Sequence, residues 1–179
     1  MKKDLKKDPE LIFIPQFNDI EVMAGQGTIG LEIFEDSNYC CICRRRRSMC
    51  WFRCKIKSLN PNCRIFAVSG AKFPNTYIKY QKEKNGKKNP ISETEPLTEK
   101  KALADGLAVT VPGEMTFPYV SKYADEFVVV SENEISCSIN LLAQRCKIIV
   151  EGAGAATLAA VLFKKSKYEK GENIVCILS

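Results

Sequence analysis

The 179-residue chain contains no histidine and only one tryptophan, Trp51. Without imidazole, the chain supplies no Ser-His or Cys-His nucleophile pair, no histidine general base and no Cys2His2 zinc site. It contains no run of about 18 apolar residues, so no segment reads as a membrane-spanning helix. The opening "MKKDLKKDPE" is charged with no apolar stretch behind it, and no secretory leader is visible. These absences predict a cytoplasmic chain whose nine cysteines are thiols.

What is present is a globular composition, 45% hydrophobic and 27% charged, which rules out a disordered chain. The length suffices for one substantial core. The net charge of +6 is local. Residues 37–54 hold five arginines (Arg44, Arg45, Arg46, Arg47 and Arg53) and no acid, and without them the remainder carries +1. The stretch "YCCICRRRRSMCWFRC", Tyr39 to Cys54, concentrates these arginines with five of the cysteines.

Apolar patterning predicts alternating strands and helices. "LIFIP" (Leu11–Pro15), "CRIFAVSG" ending at Gly70, "LAVTVP" (Leu107–Pro112), "EFVVVS" (Glu126–Ser131) and the final "ENIVCILS" read as strands. A helix is expected to begin near Gln26–Thr28, with Gly25 and Gly27 marking the turn into it. "NTYIKYQKEK" reads as a helix, and "EKNGKKNPISETEP" as a surface loop. Ser131 with Glu134 forms an S-x-x-E capping box that opens an amphipathic helix. "GAGAATLAAVLFKK" is a small-residue helix with lysines near its end, where the dipole favours them. This alternation predicts an α/β fold, an open and mostly parallel sheet with helices on both faces.

Four segments in order, "FNDIEVMAGQGTIGLEIFED", "IKSLNPNCRIFAV", "ALADGLAVTVPGEMTFPYVSKYADEFVVVSENEI" and "IIVEGAGAATLAAVLF", together resemble the pyridoxal-phosphate lyases of the tryptophan-synthase β fold. Within that fold the resemblance is to threonine ammonia-lyase and serine racemase. It covers most of residues 11–179 and implies a partial fold lacking the N-terminal part. On this reading, residues 1–179 are the C-terminal part of a catalytic domain. The family's Schiff-base lysine and Ser-Gly-Asn-His loop are expected upstream of Met1, and no lysine in "MKKDLKK" matches the Schiff-base motif.

The resemblance makes the Cys/Arg stretch legible. In the family, the strand after "GQGTIGLEI" runs into four glycines whose backbone amides cradle the cofactor phosphate, and that geometry excludes side chains. Here Arg44, Arg45, Arg46 and Arg47 occupy those positions, an unfavourable substitution for a backbone nest. If the four codons are AGG, reading one base later yields four GGA glycine codons. In the same frame Met49, followed by cysteine, must become cysteine, and Trp51, followed by phenylalanine, must become glycine. The shifted peptide, about "GGGGVCAGFAA", has the family's pattern, so residues 37–55 are read as locally frame-shifted. Two other readings stay open on motif grounds: Cys40-x2-Cys43 with Cys50-x3-Cys54 as zinc thiolates, and a solvated basic loop or nucleic-acid patch.

Other residues follow the resemblance. Ser179 aligns with the residue that meets the cofactor's pyridine nitrogen, Glu151 with a glutamate bordering the cofactor, and Asp105 and Gly106 with a pocket-wall turn. The stretch "SGAKFPNTY" lacks the acids of the family's divalent-metal site, so no metal is expected there. The family deaminates threonine or serine with pyridoxal 5'-phosphate as cofactor. This chain is expected neither to hold that cofactor covalently nor to catalyse. The partners implied are a small amino acid, a second copy or a complete paralogue, with no membrane and no nucleic acid.

Overall fold

The computed structural model describes residues 19–36, 40–43, 55–85, 102–165 and 167–178. Four strands, β1 (Cys40–Cys43), β2 (Ile65–Gly70), β3 (Glu126–Val130) and β4 (Ile174–Cys176), form one sheet in the order β3-β2-β1-β4. Every pairing is parallel, with Ile42 opposite Phe66 and Cys176, and Val68 opposite Val128. Thus the given residues of the Cys/Arg stretch supply an inner strand, held between β2 and β4.

Helices α1 (Ile20–Gln26), α2 (Thr28–Asp36), α3 (Asn75–Asn85), α4 (Thr116–Tyr123), α5 (Glu132–Leu141) and α6 (Gly152–Leu162) accompany the sheet, and residues 55–59 are helical as well. All six residues of β2 are buried, because it has a strand on each side and helices on both faces. Successive side chains of a strand face opposite ways, and the core divides accordingly. Ile65 and Ala67 pack with Met23, Tyr80, Phe117, Val120 and Phe127, contributed by α1, α3, α4 and β3. Phe66 and Val68 pack with Leu107, Ile135 and the alanines of α6. The expected α/β architecture is therefore present, with small α6 residues allowing close approach to the sheet.

The capping box forms as expected: Glu134 N–H donates to Ser131 Oγ at 3.3 Å, and Ser131 N–H to Glu134 Oε2 at 2.7 Å. Lys165, beyond α6, reaches Glu134 Oε1 at 2.9 Å and ties the two helices together. Two expectations need correction. A helix does start at Thr28 as expected, but another precedes it from Ile20, where Asp19 Oδ1 accepts the Glu21 and Val22 amides, so Gly25 lies inside α1 and only Gly27 marks the junction with α2. Leu107–Pro112 is not a strand. Leu107 closes a 3-10 turn, and the carbonyls of Val109 and Thr110 each accept the Asn75 side-chain amide at 3.0 Å. Side-chain tethering replaces the ladder that the β-branched residues suggested. Leu11–Pro15 and the polar stretch beyond Asn85, as far as Pro96, lie outside the described residues. Among the described residues no helix is long and apolar enough to cross a membrane.

Candidate functional site at the carboxyl edge of the sheet

In an all-parallel sheet every strand ends at the same edge, and the loops just beyond that edge are where such folds bind ligands. β1 ends at Cys43 and leads directly to Arg44, while its neighbour β4 ends at Cys176 and leads through Leu178 to Ser179. The ends of β1 and β4 therefore lie side by side at one edge. Arg44, Arg45, Arg46, Arg47 and Ser179 themselves lie outside the described residues.

Glu151 and Gly106 can be placed. Glu151 is the exposed N-cap residue of α6, in extended conformation, and its side chain does not cap the helix. Gly106 lies in the 3-10 turn Asp105–Leu107, where its amide donates to Asp105 Oδ1 at 2.6 Å. Gly152 joins the two features. A methyl there would collide with the Leu103 carbonyl, so the start of α6 sits directly against the chain entering the Asp105–Gly106 turn. At the end of β2, a methyl placed on Gly70 would meet the Leu107 side chain at an ordinary contact distance of 3.8 Å. Turn, helix start and strand end thus meet in one place.

Sequence reasoning missed the residues that suspend this turn. Glu132, the first residue of α5, accepts the Leu103 amide on Oε2 at 2.6 Å, with Lys72 Nζ 3.6 Å from the same oxygen. Its Oε1 is buried with no hydrogen-bond partner. Asn75 holds the far end at Val109 and Thr110. The only available signal was Glu132 itself, one residue past a recognised cap, a position that the dipole alone explains.

Beneath β4, the buried Thr157 hydroxyl donates toward the carbonyls of Gly154 at 3.1 Å and Ile177 at 3.3 Å. It thereby fixes α6 to the chain leading toward Ser179. Burial pushes the Cys176 thiol up to about 11, with the Thr157 hydroxyl acting in the opposite direction. In "SGAKFPNTY", Ser69 Oγ donates to the Phe73 carbonyl at 3.4 Å, and Asn75 binds backbone. No cluster of three metal-binding side chains occurs among the described residues. Cys40 and Cys43 stand at the two ends of a strand, which separates their Cα atoms by about 10 Å, whereas a chelating Cys-x2-Cys pair must converge.

An all-parallel sheet with helices on both faces and a turn and helix start gathered at its carboxyl edge defines an α/β protein of the ligand-binding class. The chain belongs to the family described as pyridoxal-phosphate dependent enzyme, which matches residues 1–179. It is 36% identical over 172 residues to the L-threonine ammonia-lyase of Thermotoga maritima, covering 94% of this chain and 40% of that protein. It is 34% identical over 183 residues to the catabolic L-threonine dehydratase of Staphylococcus aureus, covering 99% of this chain and 50% of that one. Among solved structures, serine racemase from Dictyostelium discoideum superposes with a TM-score of 0.74 at 31% identity, covering 99% of this chain and 56% of that chain. The processed form of threonine deaminase isoform 2 from Solanum lycopersicum gives 0.76 at 28% identity, covering 99% and 47%. The chain thus spans half or less of the length of these curated relatives.

The described residues fit one wall of a pyridoxal-phosphate pocket. The Asp105–Gly106 turn and the start of α6 bring Gly106 and the small residues Gly152–Ala156 together at the carboxyl edge, with the exposed Asp105 and Glu151 beside them. The remaining candidate contacts fall outside the described residues, so no reaction step is built on this wall.

Proposed function

We propose that the chain derives from a pyridoxal-phosphate-dependent ammonia-lyase acting on threonine or serine, releasing a 2-oxo acid and ammonia, and that these 179 residues alone are catalytically inert. The observation that carries the reading is the meeting of the Asp105–Gly106 turn with the start of α6 at the carboxyl edge, beside the exits of β1 and β4. The curated relatives support the substrate class through their names. When bound, the cofactor supplies an electron sink for a carbanion at the amino acid's α-carbon. Glu151 and Gly106 would border that site, and Ser179 aligns with the family residue that meets the pyridine nitrogen. Arg44, Arg45, Arg46 and Arg47 align with the family's four glycines, and four successive Cβ atoms are incompatible with a backbone phosphate nest, so phosphate affinity is largely lost. No lysine of the sequence matches the Schiff-base motif. Cytoplasmic residence belongs to this same reading.

The test is incubation with pyridoxal phosphate, borohydride reduction and peptide mapping. The expected result is no specific pyridoxyl-lysine; a stoichiometric label on one lysine would overturn the reading. A second reading, a non-catalytic partner of a complete paralogue, is favoured by aliphatic side chains left open to solvent, Ile149 above all. A zinc or nucleic-acid module is disfavoured by the strand at Cys40–Cys43.

A further inference from the structure

α6 carries a single side chain able to form a hydrogen bond, Thr157; every other residue of the helix is glycine, alanine, leucine or valine. Thr157 is fully buried, so its hydroxyl cannot turn to water, and alanine, the commonest residue of this helix, would leave no polar group to satisfy. A threonine inside a helix ordinarily returns its hydroxyl to its own helix, and the Gly154 carbonyl at 3.1 Å meets that need. The same hydroxyl also reaches a different element, the Ile177 carbonyl at 3.3 Å.

The two acceptors belong to the two elements that meet at the carboxyl edge. Gly154 lies in the first turn of α6, and Ile177 is the first residue past β4, whose pairing with β1 ends where Cys176 stands opposite Ile42. Apolar packing grips this exit from both faces, Ile177 against one core cluster and Leu178 against the other. Such packing has no direction, whereas a hydroxyl-to-carbonyl bond fixes which way the Ile177–Leu178 peptide faces. A thiolate nearby would draw the hydroxyl proton away. Burial holds the Cys176 thiol up at about 11, so near pH 7 that proton stays with the carbonyl oxygens. We infer that Thr157 is a positioning residue: its shared hydroxyl sets the peptide beyond β4 against the first turn of α6, and with it the approach of the chain to Ser179 and the cofactor's pyridine ring. The link to the ring rests on the cofactor reading proposed above; the tie between α6 and the β4 exit does not.

The test compares Thr157→Val, which keeps the branched shape and removes the hydroxyl, with Thr157→Ser, which keeps the hydroxyl, in the full 179-residue chain. Hydrogen exchange at the Ile177 and Leu178 amides is expected to quicken about tenfold in the valine variant, with β2 and β3 unchanged and the serine variant like the parent. Equal quickening across the sheet, or none at these two amides, overturns the inference. A second arm places both substitutions in a chain that also carries Arg44→Gly, Arg45→Gly, Arg46→Gly and Arg47→Gly, and measures pyridoxal phosphate and inorganic phosphate separately by equilibrium dialysis. Thr157→Val is expected to weaken pyridoxal phosphate about fivefold and to leave inorganic phosphate within about twofold, because only the ring reaches the β4 exit; Thr157→Ser preserves both. Equal weakening of the two probes makes Thr157 a residue of general stability and overturns its positioning role. If this chain binds neither probe, the cofactor reading fails, and the exchange pattern alone decides whether Thr157 orients the β4 exit.

Discussion

A single methyl group decides whether the Asp105–Gly106 turn can sit against α6. Gly152→Ala would drive its Cβ into the Leu103 backbone, which cannot swing aside as a flexible side chain would. The expected cost is about 1–3 kcal/mol, measurable as a lower denaturation midpoint with unchanged slope. Glu134 shows how a carboxylate can be read for pH. Its burial disfavours the charge, but the bonds from Lys165 and Ser131 outweigh it and hold the carboxyl below its ordinary 4.5. A depressed folded value means that the stabilisation is complete above the unfolded value and is lost as pH falls through the folded one. Stability should therefore fall below about pH 4.5, and Glu134→Gln should flatten that acid limb while costing about 1 kcal/mol near pH 7. Ser131 and Glu134 were legible as a cap from spacing alone. Lys165 as partner was not, because it lies 31 residues away in sequence and is brought close only by packing.

Among the elements, β2, β3, α3, α5, α6 and β4 were legible because their apolar period matched their eventual environment. Leu107–Pro112 was not, although Val109 and Val111 alternate like a strand. β-propensity expresses a fit to neighbouring strands, and the Asn75 amide holds this segment instead. Asn75→Ala should accordingly raise amide exchange from Leu103 to Thr110 while leaving β2 and β3 protected; equal loosening of the whole core would argue against local tethering. Gly25 misled in a similar way. Asp19 caps α1 strongly enough for helix to form through a glycine that reads as a breaker.

At the scale of the molecule, family membership and the all-parallel sheet agree, and the proposal of lost cofactor affinity rests on four side chains. Replacing Arg44, Arg45, Arg46 and Arg47 together by glycine should strengthen non-covalent pyridoxal-phosphate binding at least about tenfold if the nest is what is missing. Unchanged affinity in equilibrium dialysis would place the defect elsewhere. Sequencing the locus and transcript addresses the reading frame independently: glycine codons at these four positions would make the tetraglycine loop the natural one.

The order of strands and helices, the capping box, the small-residue face of α6 and the family itself were written locally along the chain, because each depends on residues a few positions apart. The neighbours of each strand, the suspension of the 103–110 segment from Glu132 and Asn75, and the solvent exposure of Ile149 were settled only by tertiary structure. They depend on which distant segments come to lie side by side.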